Sequence, residues 1–389
     1  MPVPSLPLDI VALMFSHLSG QVHITERHAL GLRLALVCNK WASLGLDLAW
    51  DEVRIKSQDV VNSRFLCQHP EATTRIRELH VYETGPETGP TAQVQHLLLA
   101  CRRLSTLYLR PPCGSNDLFE AASLSPSTPR LSLLHVQADF DLPGDCIAFM
   151  QLLPAFTNLN NLTLLLHDHG PQSSTSLTLP NQIAPVNLGL GLAGRGEDMQ
   201  DAVISLINPK RLNEVTIAAT QSTLPTKLVE WLPSGPVLET VVFVATPCDL
   251  VSDLLLALVN TLPHLNSLST LRIILAGSDD AEASPLTMSQ LTACLPPSLK
   301  HAELEGVYFH ADDQIQFFGD GDNGRIVKTV VHMLLEDEDR FGHDGLQSDV
   351  LACAADQDGN RLWGLLGIDP AESSAGDEKT TSEDELDHE

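Results

Sequence analysis

The 389-residue sequence predicts an α/β fold: a short N-terminal helical module, a solenoid of about ten stacked strand/helix repeats, and a disordered acidic tail. Three observations support this prediction. Two strongly apolar helix-like stretches precede residue 55, an apolar pattern returns nine times after them, and acidic residues concentrate at the C-terminal end. We assign residues 1–55 to the helical module, 56–337 to the solenoid, 338–370 to a C-terminal cap segment and 371–389 to the tail.

Composition narrows the functions open to the chain. With 43% hydrophobic and 19% charged residues, the sequence has no run of about twenty apolar residues, which predicts no membrane-spanning helix. A net charge of -27 argues against binding to nucleic acid or to an anionic membrane surface. The opening MPVPS lacks the basic residues of a secretory signal, so we expect a cytoplasmic or nuclear protein. The eight cysteines are spaced singly, which predicts reduced thiols rather than a disulfide framework or a zinc site.

The negative charge is concentrated at the C-terminal end. Between Glu336 and Glu389 there are 17 acidic and 3 basic residues, which gives 17 - 3 = 14 net negative charges. The final stretch, AESSAGDEKTTSEDELDHE, has no apolar periodicity. Such a segment cannot bury enough apolar surface to offset the entropy of ordering its backbone, so we expect residues 371–389 to be disordered.

A spacing of three apolar positions, LxxLxL, returns nine times and organises most of the chain. Successive copies lie 26–31 residues apart, apart from one double step of 53 that predicts a further strand near residue 188, where PVNLGL fits in part. The copies are IRELHV (76–81), LSTLYL (104–109), LSLLHV (131–136), LNNLTL (159–164), LNEVTI (212–217), LETVVF (238–243), LSTLRI (268–273), LKHAEL (299–304) and IVKTVV (326–331).

Stretches with helical apolar spacing lie between these copies, for example TAQVQHLLLACRRL and DLVSDLLLALVNTL. One strand and one helix cannot bury their apolar faces alone, but stacked repeats share a continuous core. The pattern therefore predicts a solenoid with the LxxLxL positions pointing inward. A non-repeating α/β fold with a regular alternation of elements is the alternative.

The repeats resemble long leucine-rich repeats of the strand-plus-helix type over roughly residues 70 to 337. The chain departs from that pattern because no regular Asn or Cys follows each strand, and such residues normally continue a hydrogen-bonded ladder between repeats. On this resemblance, the outward strand residues form the binding surface. We predict that a protein substrate contacts six of them: Tyr82, Tyr108, Arg110, His135, Arg272 and His301.

No motif of the sequence indicates catalysis, and we predict that the chain is not an enzyme and has no metal or cofactor. GLGLAG (189–194) satisfies the spacing of a dinucleotide-binding loop, but Pro185 and the absence of a preceding βαβ unit argue against that site. Gly189 and Gly191 instead take outward positions of the strand expected near residue 188. There they either weaken the strand or let a partner approach its backbone.

The first fifty residues lie outside the repeat. LPLDIVALMFSHL (6–18) predicts a helix that is apolar on nearly every side, with Pro7 in its first turn. Apolar residues at helical spacing predict one second helix, and together the two helices have more apolar surface than they can cover for each other. That second stripe consists of Leu30, Leu34, Val37, Trp41, Leu44 and Leu48.

These two stretches resemble the F-box, a helical module that opens with Leu-Pro and an acidic residue and continues to Val-Cys, Trp and a final Trp. The corresponding residues here are Leu6, Pro7, Asp9, Val37, Cys38, Trp41 and Trp50, and the link at 19–29 is longer than usual. The resemblance implies docking onto the Skp-family adaptor of an SCF-type ubiquitin ligase and, through it, a cullin. The implied adaptor contacts are Leu6, Pro7, Ile10, Leu13, Phe15, Leu18, Leu34, Val37, Cys38 and Trp41. A repeat-only interaction scaffold with purely structural N-terminal helices is the alternative.

Overall fold

The computed structural model describes residues 10–14, 17, 24–56, 66, 68–82, 91–110, 116–140, 145–168, 183–194, 196–219, 225–245, 251–275, 293–305 and 326–330. Several predicted features lie outside these residues: Leu6, Pro7, Phe15, Leu18, the cap segment 338–370 and the tail 371–389.

The described strands form a single sheet of eleven, all parallel and in the order of the chain. This order confirms the predicted α/β solenoid, including the strand near residue 188. The strands are β1 Glu52–Lys56, β2 Glu78–Tyr82, β3 Thr106–Arg110, β4 Leu133–Phe140, β5 Asn161–Asp168, β6 Asn187–Gly194, β7 Glu214–Ala219, β8 Thr240–Ala245, β9 Thr270–Leu275, β10 His301–Glu305 and β11 Ile326–Val330. The first of them begins inside the segment 1–55 that the sequence assigns to the helical module.

Helices alternate with the strands, and several end in a short 3₁₀ turn that contains a proline. No helix in the described part of the chain is both long and apolar enough to cross a membrane. The α-helices are Ile24–Ala35, Asn39–Trp50, Pro70–Thr73, Thr91–Ala100, Asp117–Leu124, Asp145–Leu152, Gly196–Leu206, Thr226–Trp231 and Val251–Thr261, and the 3₁₀ turns are Thr128–Arg130, Leu153–Ala155, Pro209–Arg211, Leu232–Ser234 and Leu262–His264.

The core runs the length of the sheet between the strands and the helices. Inward residues of successive strands lie side by side in register, as Leu79, Leu107 and Leu134 do, and all three are buried. Helix residues such as Leu97 and Phe149 belong to the same cluster. Burying a large apolar side chain contributes roughly 1.5–3 kcal/mol, so the stacking of repeats stabilises each strand through its neighbours.

A ladder of backbone hydrogen bonds joins the repeats where side-chain amides are missing. The carbonyl oxygen of the residue before each strand accepts from two N–H groups of the next repeat, as Asp51 does from Arg77 and Glu78, both at 2.9 Å. The same bonding continues along the sheet to the carbonyl of Ser269, which accepts from Lys300 at 2.8 Å. Backbone groups therefore take the place of the Asn or Cys ladder that the sequence lacks.

The sequence-based prediction of one helix after the first is wrong, because the structure has two helices in this region. Ile24–Ala35 and Asn39–Trp50 are separated by a turn at residues 36–38, where Cys38 is extended with φ -163° and ψ 160°. The predicted apolar stripe therefore combines residues of the first helix, of the turn and of the second helix. The first of these helices begins at Ile24, so part of the unusually long link at 19–29 is helical.

Two glycines allow these helices to pack backbone against backbone in an antiparallel hairpin. A Cβ added to Gly31 would lie 2.6 Å from the carbonyl oxygen of Gly45, and one added to Gly45 would lie 2.6 Å from that of Gly31. Only glycine permits such a close approach. The hairpin leads into β1 after a single residue, Asp51.

Replacing one of these glycines tests the close approach. We expect Gly45→Ala to lower the free energy of unfolding by about 1–3 kcal/mol, as overpacking does, although alanine normally stabilises a helix interior relative to glycine. Hydrogen exchange over residues 24–50 and denaturant unfolding measure the effect. Gly235→Ala is the matched control, because its added Cβ would meet its nearest neighbours at 3.4–3.6 Å. A Gly45→Ala protein as stable as the native chain would contradict the packing.

Candidate functional site

Large hydrophobic side chains are exposed on the N-terminal helices. We call this set the N-terminal apolar surface: Ile10, Leu13, Met14, Leu32, Leu36 and Val37. The exposure is large for Leu13 (73%), Leu36 (87%) and Val37 (59%). Four other large hydrophobics are exposed in the described part of the chain, and they are scattered over residues 99–256. A concentration of exposed apolar residues indicates an interaction site.

The hairpin geometry explains why Leu32, Leu36 and Val37 face solvent, whereas Ile10, Leu13 and Met14 precede the hairpin. Its two helices contact each other through Gly31, Gly45 and the neighbouring backbone, so the bulky residues lie on other sides. Leu36 and Val37 occupy the turn, where neither helix covers them. Of the predicted adaptor contacts, Ile10, Leu13, Val37 and Cys38 are exposed, Leu34 and Trp41 are half-buried, and the remaining four lie outside the described residues.

Polar contacts fix the hairpin to the first repeats of the sheet. Arg27 Nη1 donates to Glu52 Oε2 at 2.8 Å, and Arg75 Nη1 donates to Asp47 Oδ1 at 2.5 Å and to the Ser43 carbonyl at 3.1 Å. These ion pairs link the hairpin to β1 and to the residues just before β2. The hairpin, the first strand and the second repeat therefore form one continuous unit, and Leu32, Leu36 and Val37 have a fixed position relative to the sheet.

A row of rings crosses the N-terminal end of the sheet face that points away from the helices. We call this face the outward face. Residues Arg54, His80, Tyr108 and His135 are register partners on β1 to β4. The His80 and Tyr108 rings stack with centroids 4.1 Å apart and an interplanar angle of 9°, and His135 lies 5.5 Å beyond Tyr108. This row holds two of the predicted substrate contacts, Tyr108 and His135.

Hydrogen bonds hold His80 within this row. Its Nε2 lies 2.8 Å from Glu78 Oε1 and its Nδ1 lies 3.0 Å from the Tyr82 hydroxyl. Since a carboxylate only accepts, Nε2 donates to Glu78. This hydrogen bond lowers the pKa of the Glu78 carboxyl. The ring is thus held flat against Tyr108.

Three potential metal-ligand atoms of this network, one each from Glu52, Glu78 and His80, lie within 4.8 Å of one another. This spacing is close enough to hold a cation. Arg54 Nε, however, donates to Glu52 Oε1 at 3.0 Å, and Arg27 donates to Glu52 Oε2. Both oxygens of Glu52 therefore already accept from guanidinium groups that balance its charge. The geometry is that of an ion-pair network in which a metal would have to displace Arg54.

Burial changes the acidity of two ring residues. Burial, with a smaller contribution from nearby carboxylates, raises the pKa of Tyr108 to about 12. Burial, with a smaller contribution from His80, lowers the pKa of His135 to about 3. His135 is only 6% exposed, so little of its side chain is accessible, and its contact with a substrate stays a prediction. At neutral pH its ring is neutral, because the enclosed site disfavours the charged form.

The other predicted substrate contacts divide into two groups. Tyr82 and Arg110 are half-buried register partners beside the ring row. Arg272 and His301 are half-buried on β9 and β10. Seven inter-strand spacings of about 4.8 Å separate β2 from β9, which is roughly 34 Å along the sheet. The structure therefore brings the first four predicted contacts together and leaves the last two at the other end of the sheet.

Side chains of β5 cover the two glycines in the middle of the outward face. A Cβ on Gly191 would lie 2.5 Å from Leu165 Cδ2, and one on Gly189 would lie 3.1 Å from the Thr163 side chain. Leu165 and Thr163 thus lean across the bare backbone of β6. Side chains of the neighbouring strand fill the space beside these glycines, so the glycines do not offer open backbone to a partner.

Four apolar residues lie together on the outward face of β7 to β9, a feature absent from the sequence-based predictions. Ala218, Val242, Val244 and Ile274 form a hydrophobic cluster separate from the main core, which we call the outer apolar cluster. The run VVFV (241–244) was the available signal, because a strand that is apolar at every position is buried on both faces. The sequence reasoning also missed β1, which supplies Glu52 and Arg54.

Comparisons with known proteins add two solved structures. No protein-family model matches the sequence, and no curated protein matches it. The crystal structure of internalin C2 from Listeria monocytogenes is 13% identical, with a TM-score of 0.31, over 68% of this chain and 92% of that chain. The Rad7 and Elc1 complex from yeast is 10% identical, with a TM-score of 0.34, over 83% of this chain and 92% of that chain. At these TM-scores neither similarity bears on function, and the repeat architecture rests on the strand order described above.

The lowered pKa of His135 predicts a dependence of stability on acid. Between its ordinary pKa of 6.5 and about 3, the unfolded chain binds a proton that the folded chain excludes. The free energy of unfolding should therefore be highest above pH 6.5 and fall as the pH drops through this window. Denaturant unfolding between pH 7 and pH 4 should show a shallower decline for His135→Gln than for the native chain.

The control for this experiment is Gln137→Ala, which changes a half-buried residue of the same strand that does not titrate. It should keep the native acid dependence. An equally steep decline in His135→Gln would show that His135 contributes nothing to it.

Proposed function

We propose that this chain is the substrate-recognition subunit of an SCF-type ubiquitin ligase, in which the N-terminal apolar surface docks onto a Skp-family adaptor and the outward face binds a protein substrate. The observation that supports this most strongly is the N-terminal apolar surface, of which Leu32, Leu36 and Val37 lie on a helical hairpin fixed to the sheet. Its residues coincide in part with those that the F-box resemblance assigns to the adaptor contact.

The energetics favour a protein partner at this surface. Burying Leu13, Leu36 and Val37 contributes roughly 1.5–3 kcal/mol each. Each 1.4 kcal/mol corresponds to about a tenfold change in the dissociation constant. Even after the cost of association, a few such side chains are enough for stable docking.

The outward face offers aromatic and arginine side chains to a protein substrate. Tyr82, Tyr108 and Arg110 are half-buried and adjacent, and tyrosine and arginine are favoured anchors at protein interfaces. The contacts of Tyr82 and Tyr108 with His80 hold both tyrosines in place, which lowers the entropic cost of binding. On this proposal the cullin complex supplies the ligase chemistry, and this chain takes no part in a chemical step.

A scaffold without a link to ubiquitination is the second candidate. The hairpin packs beside β1, an edge of the sheet, and could serve only to cover that edge. Under this alternative the N-terminal apolar surface binds no adaptor. In addition, deleting residues 1–55 would then make the repeats insoluble rather than only unable to bind the adaptor.

Capture of a purified Skp-family adaptor by the full chain distinguishes the two candidates. We expect the native chain to retain the adaptor and Leu13→Asp/Leu36→Asp to lose it, because each substitution places a charge on the docking surface. Leu6→Ala/Pro7→Ala tests the part of the surface that precedes residue 10.

Leu124→Asp provides the matched control. Leu124 is also a leucine on a helix and is 68% exposed, but it lies in a repeat distant from the hairpin. This variant should capture the adaptor as well as the native chain does. Equal capture by Leu13→Asp/Leu36→Asp, or no capture by the native chain, would refute the proposed function.

A further inference from the structure

Arginines line the edge at which the first strands of the sheet begin. Three of them precede consecutive copies of the repeat pattern, and we call their side chains the arginine row: Arg75, Arg103 and Arg130. Each is followed by a buried apolar residue and then by the residue whose carbonyl accepts in the backbone ladder. The three arginines therefore occupy equivalent positions in successive repeats, which lie about 4.8 Å apart. Because 27 or 28 residues separate them in the sequence, no local run of basic residues reveals the row.

A single carboxylate pairs with the row among the described residues. Asp47 Oδ1 lies 2.5 Å from Arg75 Nη1 and 3.8 Å from Arg103 Nη1. Arg130 and Arg102, which adjoins Arg103, are exposed and form no ion pair within the described part of the chain. Four guanidinium groups thus share one carboxylate, which leaves an excess of 4 - 1 = 3 positive charges in a chain whose net charge is -27.

Two further carboxylates near this edge have partners of their own. Asp51 Oδ1 lies 3.4 Å from Arg77 Nε, and Glu71 Oε1 lies 3.0 Å from His69 Nδ1. Like charges in register on neighbouring repeats repel one another, so the row destabilises the free protein slightly. An anion bound across the row would relieve this repulsion.

We propose that the arginine row binds an acidic segment of a partner protein, with carboxylates of that segment lying along the guanidinium groups. Arginine suits this role because its planar guanidinium can donate two parallel hydrogen bonds to one carboxylate. The site goes beyond the proposed function, which assigns binding to the N-terminal apolar surface and to the outward face.

The extent of the row favours an acidic protein segment over nucleic acid or an anionic membrane. The row spans three repeats, roughly 10 Å, and the equivalent positions of the next two repeats are Asn158 and Ala184, which carry no charge. Proteins that bind nucleic acid through its backbone commonly make about 6–10 phosphate contacts, more than this row provides. The net charge of -27 also repels an extended polyanion or a charged surface more strongly than a short segment with a few carboxylates.

Binding of a fluorescently labelled deca-glutamate peptide to the full chain, followed by anisotropy, tests the proposal. We expect the native chain to bind the peptide at about 50 mM salt and to release most of it at about 300 mM, because salt screens exposed charges. Arg103→Gln/Arg130→Gln should weaken binding roughly threefold to tenfold, since each exposed ion pair contributes modestly. Arg75 stays unchanged because it also donates to the Ser43 carbonyl at 3.1 Å.

Arg211→Gln/Lys300→Gln is the matched control. Both residues are exposed in turns that precede later strands, β7 and β10. This variant loses the same charge but keeps the arginine row, so it should bind the peptide as the native chain does. Both variants should unfold at the native denaturant concentration, because only exposed side chains change.

Three results would overturn the proposal: no binding of the peptide by the native chain, an equal loss of binding in both variants, or tighter binding of a short DNA duplex or of phosphatidylserine vesicles than of the peptide. The adaptor is absent from these experiments. Failure here is therefore distinguishable from failure of adaptor capture.

Discussion

Each strand of this sheet finds its backbone partners and its apolar cover in the neighbouring repeats, so the structure depends on one unbroken register. The carbonyl before each strand from β1 to β9 accepts from two N–H groups of the next repeat, from Asp51 through Ser269. A slip of one residue would turn inward residues such as Leu134 toward solvent and bring polar neighbours into the core. The backbone ladder and the alternating side chains thus select the same alignment, without a repeated asparagine.

The same continuity determines what the two ends of the molecule can do. Because β1 follows the helical hairpin after one residue, the sheet extends the hairpin, and ion pairs through Arg27 and Arg75 fix their relative orientation. The glycine contact directs bulky apolar residues away from the hairpin interior. The exposed hydrophobic residues of the hairpin and the outward face consequently belong to one continuous unit, and the proposed receptor function requires such a fixed arrangement.

Local spacing allowed the strands to be predicted, whereas features that depend on several elements could not be. The LxxLxL copies located nine of the strands from β2 to β11, because alternation and burial obey the same two-residue period, and the double step between copies located β6. The turn at residues 36–38 was missed because one long helix and two packed helices produce the same spacing of apolar residues in the sequence. Burial of His135 and the cover of Gly191 by Leu165 depend on neighbouring repeats, and no local pattern reports them. The apolar run at 241–244 did hold a signal for a second buried face.

The most direct test of the central claim is hydrogen exchange of the full chain with and without a purified Skp-family adaptor. We expect new protection in residues 10–14 and 32–41 when the adaptor is added, with exchange in β2 to β11 unchanged. Protection confined to the sheet, or no change anywhere with the adaptor present at saturating concentration, would contradict it.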